Sequence, residues 1–135
     1  MASTKFSVLI TGASGAIGAA LAREHAASGV HLILQGRDAG RLERLGHECR
    51  GLGATTEVHA LDLSDCEAAR AWMQSRLASG VPGRVIFNAG LNTHIGATGA
   101  GEDWQATQAL MAVNLNSVMA MAEPLARAMR AKGAG

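Results

Sequence analysis

A chain of 135 residues with 48% apolar and 17% charged side chains has the length of one globular domain and enough apolar content to bury a core, which excludes a disordered segment. Twelve Lys and Arg against eleven Asp and Glu give a formal net charge of +1 with no basic run, so neither nucleic acid nor an anionic membrane is an expected partner. No stretch approaches the roughly 20 apolar residues that span a bilayer, only Lys5 precedes the first strand-like run, and Cys49 and Cys66 lack a metal-type spacing; the expected compartment is the cytoplasm, with both thiols as inert small hydrophobes.

The chain alternates short β-rich runs with longer amphipathic segments, the pattern of right-handed βαβ units on a parallel sheet. The first strand is expected over Phe6–Thr11 and the first helix over about Ala16–Ser28, with Ile17 and Leu21 on one face and Gly29 as a left-handed cap. Val30–Gln35 follows as a strand. Asp38 caps a second helix in which Leu42, Leu45 and Cys49 recur at helical spacing, and Gly51–Gly53 stops it. A third strand runs from about Thr56 to Leu61. Ser64 and Glu67 have capping-box spacing for a helix through Leu77, the run Ala78–Gly83 breaks it, and a fourth strand covers Arg84–Asn88. Leu91–Glu102 reads as a Gly-containing loop. From about Asp103 to Arg130 the chain is helix-prone, with Pro124 as the one expected kink. Met111, Met119, Met121 and Met129 on that segment suit core or subunit contact.

Thr11-Gly12-Ala13-Ser14-Gly15-Ala16-Ile17-Gly18 lies at a strand-to-helix turn, where missing Cβ atoms let backbone approach a pyrophosphate aimed at a helix N-terminus. Asn114 stands in mid-helix, where Asn is a mediocre helix former. His25, His31, His47, His59 and His94 share no spacing with one another or with carboxylates, so no metal site is expected.

In these motifs the chain resembles the short-chain dehydrogenase/reductase family. The TGxxxGxG motif is met at Thr11, Gly12 and Gly18, with Ala16 at the middle glycine and Gly15 shifted by one. Asp62 after the third strand, Asn88-Ala89-Gly90 after the fourth, and Asn114 within Val113-Asn114-Leu115 match at family-like intervals; Phe87 stands where the family usually has a second Asn. The resemblance implies a Rossmann-type doubly wound parallel sheet, here spanning four strands and the following helix, with residues 1–135 forming an NADP(H)-binding domain. It implies a cofactor site made of Gly12, Ser14, Gly15, Ala16, Ile17 and Gly18 at the diphosphate, Asp62 and the backbone of Leu63 at the adenine, and Asn88, Ala89 and Gly90 around the ribose and nicotinamide side. It also implies that Asn114 belongs to a catalytic relay of Asn, Ser, Tyr and Lys. The chain has no Tyr, so the relay's proton donor is not among its residues.

Family members that prefer NAD usually carry an acid at about the position of Gly36, which binds the ribose hydroxyls and repels a 2′-phosphate. Gly36 cannot do this, and Arg37 offers a guanidinium suited to bidentate phosphate binding, so NADP(H) is the expected cofactor ahead of NAD(H).

Three readings stand. The first is an oxidoreductase that transfers hydride between NADP(H) and a small carbonyl or alcohol, present here without its Ser, Tyr and Lys. The second is a stand-alone, non-catalytic nucleotide-binding module, and the third an interaction protein. The open edge of a half-sheet predicts a homo-oligomer or dependence on a partner.

Overall fold

The computed structural model describes residues 6–92, 101 and 103–135. Lys5, His94 and most of the loop expected over Leu91–Glu102 lie outside the described residues. The elements are β1 (Phe6–Ile10), α1 (Ala16–His25), β2 (Val30–Gly36), α2 (Ala39–Gly51), β3 (Thr55–Ala60), α3 (Cys66–Ser79), β4 (Arg84–Ile86), α4 (Trp104–Met111), a π-helical turn (Ala112–Asn116) and α5 (Ser117–Lys132). The strands form one parallel sheet in the order β3-β2-β1-β4, the α/β doubly wound arrangement.

Alternation within the apolar strands builds a core on each side of the sheet. Val8, Ile10, Leu32 and Leu34 face α1 and α2, where Ala22, Leu42, Leu45 and Cys49 complete one cluster. Leu9 and Ile33 point the other way, against Ala69 and Met73 of α3 and Met121 and Leu125 of α5. Burial on both faces is why these strands read as continuous apolar runs. The chain steps from β1 to β2 to β3 on one side and then crosses to β4 on the other, so the order reverses between β1 and β4. In open parallel sheets that reversal opens a crevice at the carboxyl ends of the strands.

Several expected boundaries shift for identifiable reasons. Helix α1 ends at His25, not Ser28: the Ala26 amide folds back to the Arg23 carbonyl and the His25 ring bonds the Leu21 carbonyl at 2.8 Å. Gly29, at φ +85°, serves the turn into β2 instead. The capping box at Ser64 does not form. Asp65 caps α3 by accepting from the Ala68 amide at 3.0 Å, while the Ser64 amide donates to Asp62 at 2.9 Å; carboxylates are the stronger acceptors at the positive end of a helix. Strand β4 stops at Ile86 because the next amides, of Asn88 and Ala89, turn to the Thr11 hydroxyl.

Pro124 lies inside α5, and a departure from the α-helical ladder falls upstream of it, at Ala112–Asn116. Proline removes the N–H that would serve the carbonyl four residues back. That carbonyl, of Ala120, accepts from Arg70 Nη1 at 3.2 Å. The span Trp104–Lys132 is also long and apolar enough, by length and composition, to cross a membrane, which the composition reading did not anticipate. Its Val113, Ser117, Met121 and Leu125 are buried, and the last two pack against the sheet, while much of the span stays exposed.

Outside the cleft, Glu57 of β3 collects His59 at 2.5 Å, Arg76 at 2.7 Å and His31 at 3.4 Å. Two of the histidines thus share a carboxylate after all, His59 from two residues along the same strand and His31 from the neighbouring strand, whose register sequence spacing does not reveal. Burial alone would raise the Glu57 carboxyl, but the hydrogen bond from His59 and the charge of Arg76 hold it below its ordinary value of 4.5. A lowered folded value means that its stabilisation is complete above about pH 4.5 and is lost as the pH falls through that folded value. Glu57→Gln should therefore cost about 1 to 2 kcal/mol near neutrality, with the gap to wild type closing in acid. Urea unfolding across a pH series measures it, and a gap that persists unchanged at the acid end contradicts the assignment.

Candidate functional site

The turn after β1 is shaped by what touches it. Gly12 sits at φ +67°, and a Cβ there would fall 2.7 Å from the Cα of Ala89. A Cβ on Gly18 would collide with the Gly12 carbonyl and lie 2.8 Å from the Cα of Ala13. These two glycines let backbone meet backbone. Gly15 differs: its Cβ would meet only the Gly12 carbonyl, at 3.5 Å, so the packing of the chain does not require glycine there.

Gly15 also precedes α1 as its N-cap and has no side chain to accept from the first helical turn. The amides of that turn, at the positive end of the helix dipole, point to a place where an anion is favoured. The amides just before it are committed within the chain. Ala13 donates to the Gln35 carbonyl at 2.8 Å, Gly15 to the Gly12 carbonyl at 3.2 Å, and Gly12 to Gln35 Oε1 at 3.2 Å.

The neighbouring wall is tied to this turn. The Thr11 hydroxyl accepts from the amides of Asn88 at 3.0 Å and Ala89 at 3.1 Å. Asn88 Nδ2 donates to the carbonyls of Thr11 and Gly12, both at 3.2 Å. The Asn88 side chain is therefore spent on fixing the glycine turn. On the opposite wall, Asp62 accepts from the Ser64 amide, which together with the Ser64 hydroxyl and the nearby charge of Arg37 holds its carboxyl below the usual range.

Gly12, Ser14, Gly15, Ala16, Ile17, Gly18, Arg37, Asp62, Leu63, Asn88, Ala89 and Gly90 all line one cleft of about 890 Å³ at the β1/β4 reversal. Every residue proposed for the cofactor is thus gathered in one place. Asn114 is not in the lining, although Val113 and Leu91 are. Its amide pairs with the backbone of Leu91 in both directions, Leu91 N donating to Oδ1 at 2.7 Å and Nδ2 donating to the Leu91 carbonyl at 2.8 Å. With both polar ends of the side chain engaged, Asn114 holds the wall in place.

Gln35, Asp38 and Arg41 also line the cleft and were not among the residues expected there. Gln35 had a signal, a polar residue closing the run Val30–Leu34. Arg41 had none beyond its charge; its Nε lies 3.4 Å from Asp38, the residue that caps α2. Gly36 is buried, and a Cβ on it would come within 2.5 Å of Ser14 Oγ. Burial raises the Cys49 thiol above its ordinary value, as suits an inert core residue. Among the described residues no group of His, Cys, Asp and Glu is placed to hold a metal.

The family model of the short chain dehydrogenases matches residues 7–135. Galactitol 2-dehydrogenase (L-tagatose-forming) of Cereibacter sphaeroides is 33% identical over 128 residues, which are 93% of this chain and 48% of that protein. A metagenomic short-chain oxidoreductase solved in complex with NADP superposes with a TM-score of 0.88 at 31% identity, over 98% of this chain and 60% of the other. A short-chain dehydrogenase from Sphingobium yanoikuyae in complex with NADPH gives 0.83 at 31% identity, over 96% and 50%. The chain thus spans about half the length of the proteins it resembles.

The contrast between the glycines is open to experiment. Gly12→Ala should destabilise the fold by about 2 kcal/mol or more, through the left-handed backbone and the clash with Ala89. Gly15→Ala should leave the unfolding midpoint within about 0.5 kcal/mol of wild type. Equal losses in thermal unfolding would contradict this division of labour.

Proposed function

Because the chain belongs to the short-chain dehydrogenase family, we propose that its cleft binds NADP(H), the hydride carrier with which the whole protein interconverts a small-molecule carbonyl and its alcohol. The observation that carries the cofactor assignment is the rim at the end of β2. There Gly36, packed against Ser14, offers no carboxylate to the ribose hydroxyls, and Arg37 stands exposed beside it. Relatives in complex with NADP and NADPH support the same choice.

The residues fit that group. The uncapped first turn of α1, with Ser14 and Gly15, receives the diphosphate, and Arg37 receives the 2′-phosphate through charge-assisted bonds. Asp62 and the backbone of Leu63 border the adenine. Asn88, Ala89 and Gly90 form the wall of the ribose and nicotinamide side, kept in place by Thr11 and, through Leu91, by Asn114. Asn114 is thus a positioning residue on this reading. The bound cofactor supplies hydride; the protein binds, orients and excludes water. The 135 residues include no Tyr, so the proton donor of the family's relay is not supplied by them.

The same reading places the protein in the cytoplasm without a nucleic acid or membrane partner, and self-associating. Trp104, Met111, Leu115 and Met119 are large apolar side chains left exposed along one long helix, and β4 is a short strand at the sheet edge.

Two measurements bear on these proposals. NADPH should bind more tightly than NADH, and Arg37→Ala should remove about 1.5 to 3 kcal/mol from NADPH binding while leaving NADH nearly unchanged; titration of both nucleotides decides it, and equal affinities in the wild type sink the assignment. Sedimentation at low micromolar concentration should show species larger than the monomer, whereas a soluble monomer with cooperative unfolding would favour a self-sufficient binding module.

A further inference from the structure

We infer that Gln35 is a positioning residue of the nucleotide cleft, its buried side-chain amide clamping the turn after β1 to the turn after β3. This rests on the reading of the cleft as a nucleotide site and adds a residue that determines its shape.

Gln35 is 1% exposed, yet both ends of its amide are satisfied. Oε1 accepts from the Gly12 amide at 3.2 Å and Nε2 donates to the Leu61 carbonyl at 2.7 Å. Its main-chain carbonyl accepts from Ala13 at 2.8 Å, and the next carbonyl, of Gly36, accepts from the Leu61 amide at 2.9 Å. Because β2 lies between β1 and β3 in the sheet, its carboxyl end is the place from which one side chain reaches both turns. Those turns carry opposite walls of the cleft, Gly12 to Gly18 on one side and Leu61 to Leu63 on the other.

The chemistry demands a primary amide. One turn presents a donor and the other an acceptor, so the bridging group must accept at one end and donate at the other while staying uncharged in a buried place. A carboxylate accepts only, and a thioether does neither bond well. By engaging Gly12 and Ala13, Gln35 also withdraws their amides from a ligand, which directs an incoming phosphate to the first turn of α1.

The test is titration of the full chain with NADPH across a pH series, for wild type, Gln35→Glu and Gln35→Met, with thermal unfolding followed in the same buffers. The Glu variant is nearly isosteric, and once protonated its carboxyl accepts from Gly12 and donates to Leu61 as the amide does. It should therefore bind close to wild type at the acid end and about tenfold more weakly at the alkaline end, where an acceptor-only carboxylate faces the Leu61 carbonyl. Wild type measured alongside should show no such slope. Gln35→Met should bind about tenfold more weakly at every pH; should it fail to fold, the pH profile of Gln35→Glu decides alone. Wild-type binding with no slope in Gln35→Glu overturns the role of Gln35 and leaves the cofactor reading intact. A slope that merely tracks the fraction unfolded makes Gln35 a structural residue and overturns it as well. Wild type that binds neither NADPH nor NADH overturns the cofactor reading and this inference with it.

Discussion

The Thr11 hydroxyl accepts two amides from the chain leaving β4, and the Asn88 side chain returns two donations to the carbonyls of Thr11 and Gly12. Everything at the cleft depends on this exchange. Parallel strands lose their ladder partners where they end, and the backbone groups of the turns that follow must find others or remain unpaired at a partly buried site. Here the turns after β1 and β4 satisfy one another, which draws Gly12 against Ala89 so closely that only glycine fits. The third turn, after β3, is too far for the same device and is reached through the side chain of Gln35. The floor of the cleft is thus a hydrogen-bonded network across three crossover turns, and its ligand-facing surface is what that network leaves free.

Much of this was legible in the sequence, and the failures have common causes. Short β-rich runs alternating with amphipathic segments are enough to call a parallel α/β sheet, and the two inner strands, β1 and β2, buried on both faces, show it most plainly in their apolar composition. The glycine turn was legible from its place between a strand and a helix. How each residue there is held was not: Asn88 reads as part of the ribose wall and Asn114 as a relay member, and in the structure their side-chain amides bond backbone groups of the turn and of Leu91. The Ser64 capping box failed because Asp65, one residue on, caps the helix at the Ala68 amide and Asp62 takes the Ser64 amide that Glu67 would have bonded. His59 stands two residues from Glu57 on one face of β3, a spacing the sequence does carry, whereas His31 meets Glu57 only through strand register, a property of the assembled sheet.

The long C-terminal helix carries, besides the expected proline, a π-helical turn that the sequence does not signal. A proline suggests a kink because it deletes a hydrogen bond, but what matters is whether another donor serves the abandoned carbonyl. Arg70 does so for Ala120. At the π-helical turn the Ser117 amide reaches back to Ala112, whose carbonyl also accepts from the Cys66 thiol at 3.6 Å, and the Ser117 hydroxyl takes the Val113 carbonyl at 2.7 Å. Cys66 and Arg70 are four residues apart and so share a face of α3. One face of one helix therefore services both irregularities of its neighbour. The π-helical turn is where Asn114 couples to Leu91, so α3 supports the nucleotide wall without touching the cleft through these two side chains.

Selectivity at the rim of the cleft then reduces to packing and to which charges are already occupied. A Cβ in place of Gly36 would come within 2.5 Å of Ser14 Oγ, so the Ser14 side chain would have to shift to admit a ribose-binding carboxylate there. The two acids nearby are engaged locally. Asp38 accepts from the Arg41 amide and lies beside its guanidinium, and Asp62 accepts from the Ser64 amide. Arg37, by contrast, has no carboxylate within ion-pair distance among the described residues, though its charge is felt by Asp62. A cation that is exposed, close to a helix N-terminus and without a fixed partner favours a dianion over a hydroxyl, since the neutral group gains little from charge. The preference for a 2′-phosphate, on the proposed reading, therefore rests on the charge of Arg37 and on the lack of a competing acid at Gly36, and the two should be altered together by anyone seeking to reverse it.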